Sequence, residues 1–366
     1  MPRVSRMRQL LATALVVSAS LGASGQAADA LRPLIEVNLN GQRVEGTALS
    51  WSKSSVFLLA RDGRLWDFAP QTAREFHKMP TSFTSYSPGA VRAQLQAELG
   101  NQFEITGVGH YLVAHPAGQR SQWAQRFEDL YRSFLLYFSV RGFQIQTPEF
   151  PLIAIVMPTH EDFLRYSSQE GKPLPAGVLG YYSPTTNRVA LYDITNGERS
   201  GATWHTNADT IIHEATHQTA FNTGIHSRFA SQPRWAVEGL ATVFEAPGVW
   251  NSRAHPNLPD RVNRTQLQSW KQYRSRRKEG ALVELISSDG RFNTGTLDAY
   301  AESWALSFFL LEKQPRDYAA YLQRLAVLPV FRDRSSAERL ADFTAVFGTN
   351  FRLLEARYLR FMDELR

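Results

Sequence analysis

The residues best suited to chemistry in this chain are His213-Glu214-Ala215-Thr216-His217. On a helix, residues four apart share one face, so both imidazoles project together with Glu214 beside them. Two imidazoles spaced this way can hold one Zn2+, and the neighbouring carboxylate can serve a metal-bound water. The competing reading is a pair of hydrogen-bonded core histidines. A catalytic zinc takes three protein ligands and keeps a fourth position for water, so a third donor is needed. Glu238, in Trp235-Ala236-Val237-Glu238-Gly239-Leu240-Ala241, is the best candidate. It is the lone acid in the middle of an apolar stretch, twenty-one positions after His217. Burying a carboxylate there calls for a cation. The alternative is a buried Glu hydrogen-bonded to a neighbour. Gly239 costs helix stability, and close approach to the helix of His213 and His217 would explain it. Glu245 lies two turns on, on the same face, and suits a supporting partner for a ligand histidine.

For these side chains to converge, both segments must be helices. Thr206 or Asn207 suits the N-cap of the first, Asp209 falls in its first turn, and Gly224 suits its end. Between Ser200 and Ser227 there is no Lys or Arg, and the only acids are Asp209 and Glu214. A helix carrying Ile211, Ile212, Ala215, Ala220 and Phe221 without a charged face is a buried one. Burying Glu214 and two histidines without partners is costly, and a metal with its water would satisfy all three. Pro233 suits the first helical position of the second segment, which is almost wholly apolar from Arg234 to Ala246.

The rest of the chain predicts an α+β protein. Residues 34–69 read as short strands, with Asn40-Gly41 and Asp62-Gly63 as hairpin turns between apolar runs. They imply a small β domain over 31–78, for which an SH3-like barrel is one arrangement, and its partner is unreadable. Residues 79–89, with Met79-Pro80 and Pro88-Gly89, read as a linker. An α/β part spans 90–230 and includes the HExxH helix. In it, 103–108 and 110–114 pair as strands and 119–141 has helical spacing. Leu152 to Met157 is an apolar strand central in a sheet, Thr159 starts a short helix, and 178–182 pairs with 188–192. His110 and His115 read as ordinary strand histidines. A helical part spans 231–366, with a loop over 247–263 and helices near 264–277, 297–313, 315–327, 336–346 and 350–365. The basic run Arg274-Ser275-Arg276-Arg277-Lys278 reads as a solvated helix end.

Arg3, Arg6 and Arg8, an apolar run from Leu10 to Val17 and small residues to Ala30 match a secretory signal peptide over 1–28. No other stretch is long and apolar enough to cross a bilayer. The chain has no cysteine, which fits a bacterial periplasm or secretion and excludes thiol nucleophiles and Cys-based zinc sites. The formal charge of +6 falls near +3 once the three leader arginines are removed. Together with the lack of a binding motif, that argues against nucleic acid as a partner.

His213-Glu214-x-x-His217 followed by Glu238 in a Trp-x-x-Glu-Gly-x-Ala setting resembles the gluzincin zinc metallopeptidases. The likeness is greatest to their aminopeptidase-like branch and its bacterial secreted relatives. By element order it covers residues 100–330, and it is specific at the two metal helices. It implies a gluzincin-like catalytic region with a mixed sheet, His213, His217 and Glu238 as ligands of one zinc, and Glu214 as general base. The metzincin pattern does not fit, because positions 220 and 223 are Ala and Thr. The resemblance also points to Tyr300, sixty-two positions after Glu238, as the donor to the developing oxyanion; a core tyrosine is the alternative. The exopeptidase Gly-Ala-Met-Glu-Asn sequence is absent, which argues against recognition of a substrate's amino terminus. The strand over 178–182 stands where gluzincins keep an edge strand that pairs with substrate backbone.

The reaction so implied is hydrolysis of a polypeptide by a zinc-bound water. Zinc lowers that water's pKa to about 7, and Glu214 takes its proton. Three rivals stand beside it: a non-catalytic binding protein, an inactive peptidase relative, and a zinc hydrolase acting on another polymer such as one of the envelope.

Overall fold

The computed structural model describes residues 32–118, 123–175, 177–193 and 204–365, without the side chains of 204–207. The leader expected over 1–28 lies outside them. The first five strands are β1 (Pro33–Leu39), β2 (Gln42–Trp51), β3 (Val56–Ala60), β4 (Leu65–Phe68) and β5 (Ala73–Ser82). They form one antiparallel sheet in the order β4-β3-β2-β1-β5. Asn40 and Gly41 turn between β1 and β2 with φ of 54° and 88°, as a type I′ hairpin requires. β5 corrects the expected boundary. Met79 to Ser82, read as linker, end this edge strand, where Pro80 removes no needed donor. Pro88 and Gly89, also read as linker, open the helix α1 (Pro88–Leu99), which Ser87 caps from its side chain.

The second sheet contains β6 (Phe103–Val108), β7 (Tyr111–Pro116), β8 (Leu152–Met157), β9 (Gly180–Ser183) and β10 (Arg188–Tyr192). Its order is β6-β7-β8-β10-β9, with β8 parallel to both neighbours and the outer pairs antiparallel. Helices α2 (Trp123–Ser139) and α3 (His160–Gln169) belong to this part. Every residue of β8 is buried because both faces are covered. Leu152, Ala154 and Val156 pack with α2 in the larger core, while Ile153, Ile155 and Met157 pack with α1 and α3 in a second one. β9 is left at the sheet edge.

The remaining chain is helical: α4 (Trp204–Asn222), α5 (Arg234–Phe244), α6 (Pro247–Trp250), α7 (Arg264–Arg274), α8 (Ala281–Ser287), α9 (Arg291–Thr294), α10 (Thr296–Lys313), α11 (Pro315–Ala326), α12 (Ser336–Phe347) and α13 (Phe351–Asp363). α4 starts ahead of Thr206 and Asn207, so neither residue is its cap. Pro233 stands at the N-cap of α5, one place before the expected N1. Gly239 is explained by a different neighbour from the one expected. A Cβ there would overlap Ser303 O and Ser307 Oγ of α10, so the close approach is to α10 and not to α4. The basic run is solvated at Ser275, Arg276 and Lys278, as expected, but not at Arg277. Arg276 forks onto Asp298 at 2.7 and 2.9 Å, and Arg277 is buried against Glu302 at 2.8 Å and Glu355 at 2.6 Å. Both Asp298 and Glu302 lie on α10, so the run clamps that helix from the side.

The first sheet is docked on the second. Leu65 N–H donates to Thr185 O at 2.7 Å, and Arg228 Nη2 donates to Gly63 O (2.8 Å) and Pro184 O (2.6 Å). Phe57 of β3 stacks on Phe331 with ring centroids 3.8 Å apart. Phe331 takes a left-handed φ of 56°, an unfavourable backbone for a bulky residue that the surrounding contacts must hold. Among the described residues no helix is long and apolar enough to cross a membrane.

Candidate metal centre

α4 lies buried between the second sheet and the helical part, as a helix without a charged face requires. Gln218, one residue after the second histidine, fixes it. Its side-chain amide is buried and donates to Ile153 O at 3.0 Å and Asn187 O at 2.8 Å, tying α4 to β8 and to the β9–β10 turn. Asn222 adds a second tie, donating to Asn187 Oδ1 at 2.7 Å. With its roll set this way, α4 turns His213 and His217 toward α5.

His213, His217 and Glu238 meet as a group of three donors. The two Nε2 atoms are 3.0 Å apart, and each is 3.4 Å from Glu238 Oε2. Zinc bonds of about 2.0–2.1 Å in a tetrahedron give ligand-to-ligand edges of about 3.3 Å, so the observed triangle fits one zinc. The protonation pattern fits as well. His213 Nδ1 lies 2.7 Å from Glu245 Oε1, a contact that places the proton on Nδ1 and leaves Nε2 as a lone pair. Glu238 Oε2 is buried with no hydrogen-bond donor. Lone pairs from three groups therefore face one point, which is costly unless a cation or extra protons sit there. In the metal-free chain burial opposes a charged His213, but Glu238 and Glu245 prevail and hold its pKa well above the usual value. Glu238 is held well below the usual carboxylate range, burial opposing and the two imidazoles prevailing.

Glu245 caps the end of α5 and does what its spacing suggested. Its second oxygen accepts from Asn263 Nδ2 at 2.7 Å. Asn263, buried at the start of α7, also donates to Thr242 O and caps Gln266 N. This Asn263–Glu245–His213 chain was not read from the sequence. An Asn before a helix signals only a cap.

Glu214 reaches the other way. Its Oε2 accepts the backbone N–H of Tyr182 on β9 at 2.6 Å, so the carboxylate lies between the metal group and the sheet edge. Its Oε1 makes no hydrogen bond to any described residue. Tyr300, on α10, stands beside Glu238 and Arg234. Burial and the Glu238 charge push its phenol pKa up, with Arg234 opposing. The ring of Tyr300 meets Phe292 edge-on at 5.5 Å. Two more neighbours carry no sequence signal. Arg234 places Nε 3.7 Å from Glu238 Oε1. His226 is 1% exposed with neither ring nitrogen hydrogen-bonded, and burial, then His217, pushes its pKa down to about 3. His110 and His115 stay apart from the group, on the far side of the sheet order.

A family model described as a protein of unknown function (DUF1570) matches residues 207–331. That span holds His213, Glu214, His217, Glu238 and Tyr300. No curated protein matches. Among solved structures, the chain is similar to a variant of a two-domain M1 zinc metallopeptidase bound to L-arginine. The identity is 16% and the TM-score 0.35, over 72% of this chain and 51% of that one. It is also similar to a variant M1 zinc metallopeptidase from Deinococcus radiodurans, at 13% identity and TM-score 0.36, over 72% and 51% of the two chains. The chain thus spans about half the length of these structures. The site stands on its own geometry.

Proposed function

We propose that this chain is a secreted or periplasmic zinc-dependent peptidase, with His213, His217 and Glu238 holding the metal and Glu214 acting as general base. The observation that carries the reading is the triangle of three donors at 3.0 and 3.4 Å, with Glu214 beside it. When bound, zinc supplies Lewis acidity, polarising a carbonyl and making a water acidic near neutral pH. The chain's own groups do the rest. Glu245 and Asn263 hold His213 in the tautomer that presents Nε2. The Tyr182 amide fixes one oxygen of Glu214 and leaves the other to take a proton from water and return it to the leaving amine. To Tyr300, half-buried beside Glu238, we assign donation to the oxygen that becomes negative, an effect worth on the order of 3 kcal/mol. The leader-like N-terminus and the cysteine-free composition support the location.

The test is metal analysis of the purified chain together with digestion of an unbiased peptide library. One zinc per chain and peptide cleavage are expected. Glu214→Gln should keep the zinc and lose roughly 10²–10⁴-fold in rate. A Glu214→Gln chain with full activity would overturn the assignment of the base.

A further inference from the structure

Several arginines in this protein are forked onto carboxylates. Arg188 holds Glu98 at 2.6 and 2.9 Å, Arg261 holds Glu312 at 3.0 and 2.9 Å, and Arg276 holds Asp298 at 2.9 and 2.7 Å. Arg234 is different. It lies one turn before Glu238 on α5, with its side chain 41% exposed, and approaches that carboxylate only through Nε at 3.7 Å, beyond hydrogen-bond reach. No described carboxylate accepts a hydrogen bond from its guanidinium. Yet the group is not loose. It lies over the Phe292 ring at 4.6 Å, and the same ring meets Tyr300 edge-on. Asp289 Oδ1 accepts the Arg234 backbone N–H at 3.0 Å and fixes the start of the helix. A guanidinium fork, which matches a carboxylate in shape and charge, thus rests against an aromatic ring, half-open, beside the metal group. Once a cation takes up the charge of Glu238, the Arg234 guanidinium loses the carboxylate it approaches at 3.7 Å.

Resting on the zinc-peptidase reading above, we propose that Arg234 is a specificity-determining residue that receives a substrate carboxylate next to the scissile bond. The chemistry is that of a carboxylate, whether the terminal one of a peptide or the side chain of an Asp or Glu residue. Cleavage therefore falls beside a chain end or beside an acid.

The test uses the zinc-loaded Glu214→Gln chain, which binds without turnover, and short N-acetylated peptides in three forms. One form has a free C-terminus, one is amidated and neutral, and one is amidated with Asp or Glu at successive positions. Binding is followed by calorimetry, and cleavage of the same peptides by the wild type is read in parallel. At least one carboxylate-bearing form should bind roughly 10-fold or more tightly than the neutral one, the range of a hydrogen-bonded charged group. Which form does so tells a terminal carboxylate from a side chain. Arg234→Gln should erase that preference with zinc content and thermal midpoint unchanged, and Arg234→Lys should keep part of it. Equal binding of neutral and carboxylate peptides sinks the proposal, and neutral peptides cleaved as fast as acidic ones do the same while leaving the peptidase intact. Arg234-dependent binding without any cleavage by the wild type upholds the carboxylate site and removes the peptidase.

Discussion

Glu302 and Glu238, two carboxylates of the helical part of this molecule, are treated in opposite ways. Glu302 on α10 is 0% exposed, and both of its oxygens are met by arginines, Arg277 on one and Arg291 on the other. Glu238 on α5 is 14% exposed, and its Oε2 faces two imidazole nitrogens with no donor. The chain supplies two arginines to the first, while the second faces two imidazoles, with Arg234 Nε 3.7 Å from its other oxygen. A buried acid is thus no sign of a metal by itself. The sign is a buried acid whose nearest neighbours are also lone-pair donors.

Breaking the first site should cost the most. Glu302→Ala takes away the carboxylate that two buried guanidiniums share, leaving Arg277 only Glu355 and Arg291 only neutral partners, and should lower unfolding stability by about 3–5 kcal/mol in urea titration, zinc or no zinc. Glu238→Ala removes a partner that holds His213 charged, so its cost to the metal-free chain should be smaller than that of Glu302→Ala and should fade as pH rises through the folded-state pKa of His213. The contrast sharpens when metal is added. Zinc at 100 times its Kd should stabilise the wild type by about 2.7 kcal/mol and should leave Glu238→Ala unmoved. Equal shifts in both proteins would remove Glu238 from the ligand set.

Smaller effects follow along the support of His213. Asn263→Ala frees Glu245 to turn, and should weaken zinc roughly 10–100-fold in a chelator competition. The gentlest probe is pH. His213 is held above the usual histidine pKa in the metal-free chain, despite burial, by Glu238 and Glu245. The stability from this raised pKa is complete below about pH 6.5 and fades as pH rises through the folded-state value. Zinc affinity should run the other way, rising with pH as fewer protons compete. A metal-free stability that stays flat across that range would speak against the cluster.

The sequence was most legible where one pattern had one outcome. HExxH could be placed on a buried helix because no Lys or Arg falls within 200–227, and Glu238 stood alone among apolar residues. The long helices from α7 to α13 came out within a few residues of their expected bounds, apart from α8 and α9. β5 was missed because nearly all of it is exposed, so it has no alternation to read. The basic run misled at Arg277 because that residue finds an acid on α10, twenty-five positions further on. Gly239 was read correctly as a close approach but assigned to the wrong helix, since glycine says that something is near and not what. Arg234 and Asn263 matter only through partners brought by the fold.

The docking of the first sheet bears on how this protein can be cut. The turn that anchors edge strand β9 is gripped by Leu65 and Arg228, and Phe331 keeps its awkward backbone against the ring of Phe57. Ile153 and Asn187, which steady α4 through Gln218, both precede residue 207. A fragment trimmed to 207–331 would carry every proposed ligand and still have lost the scaffold that aims them. Expression trials are best begun no later than Arg32.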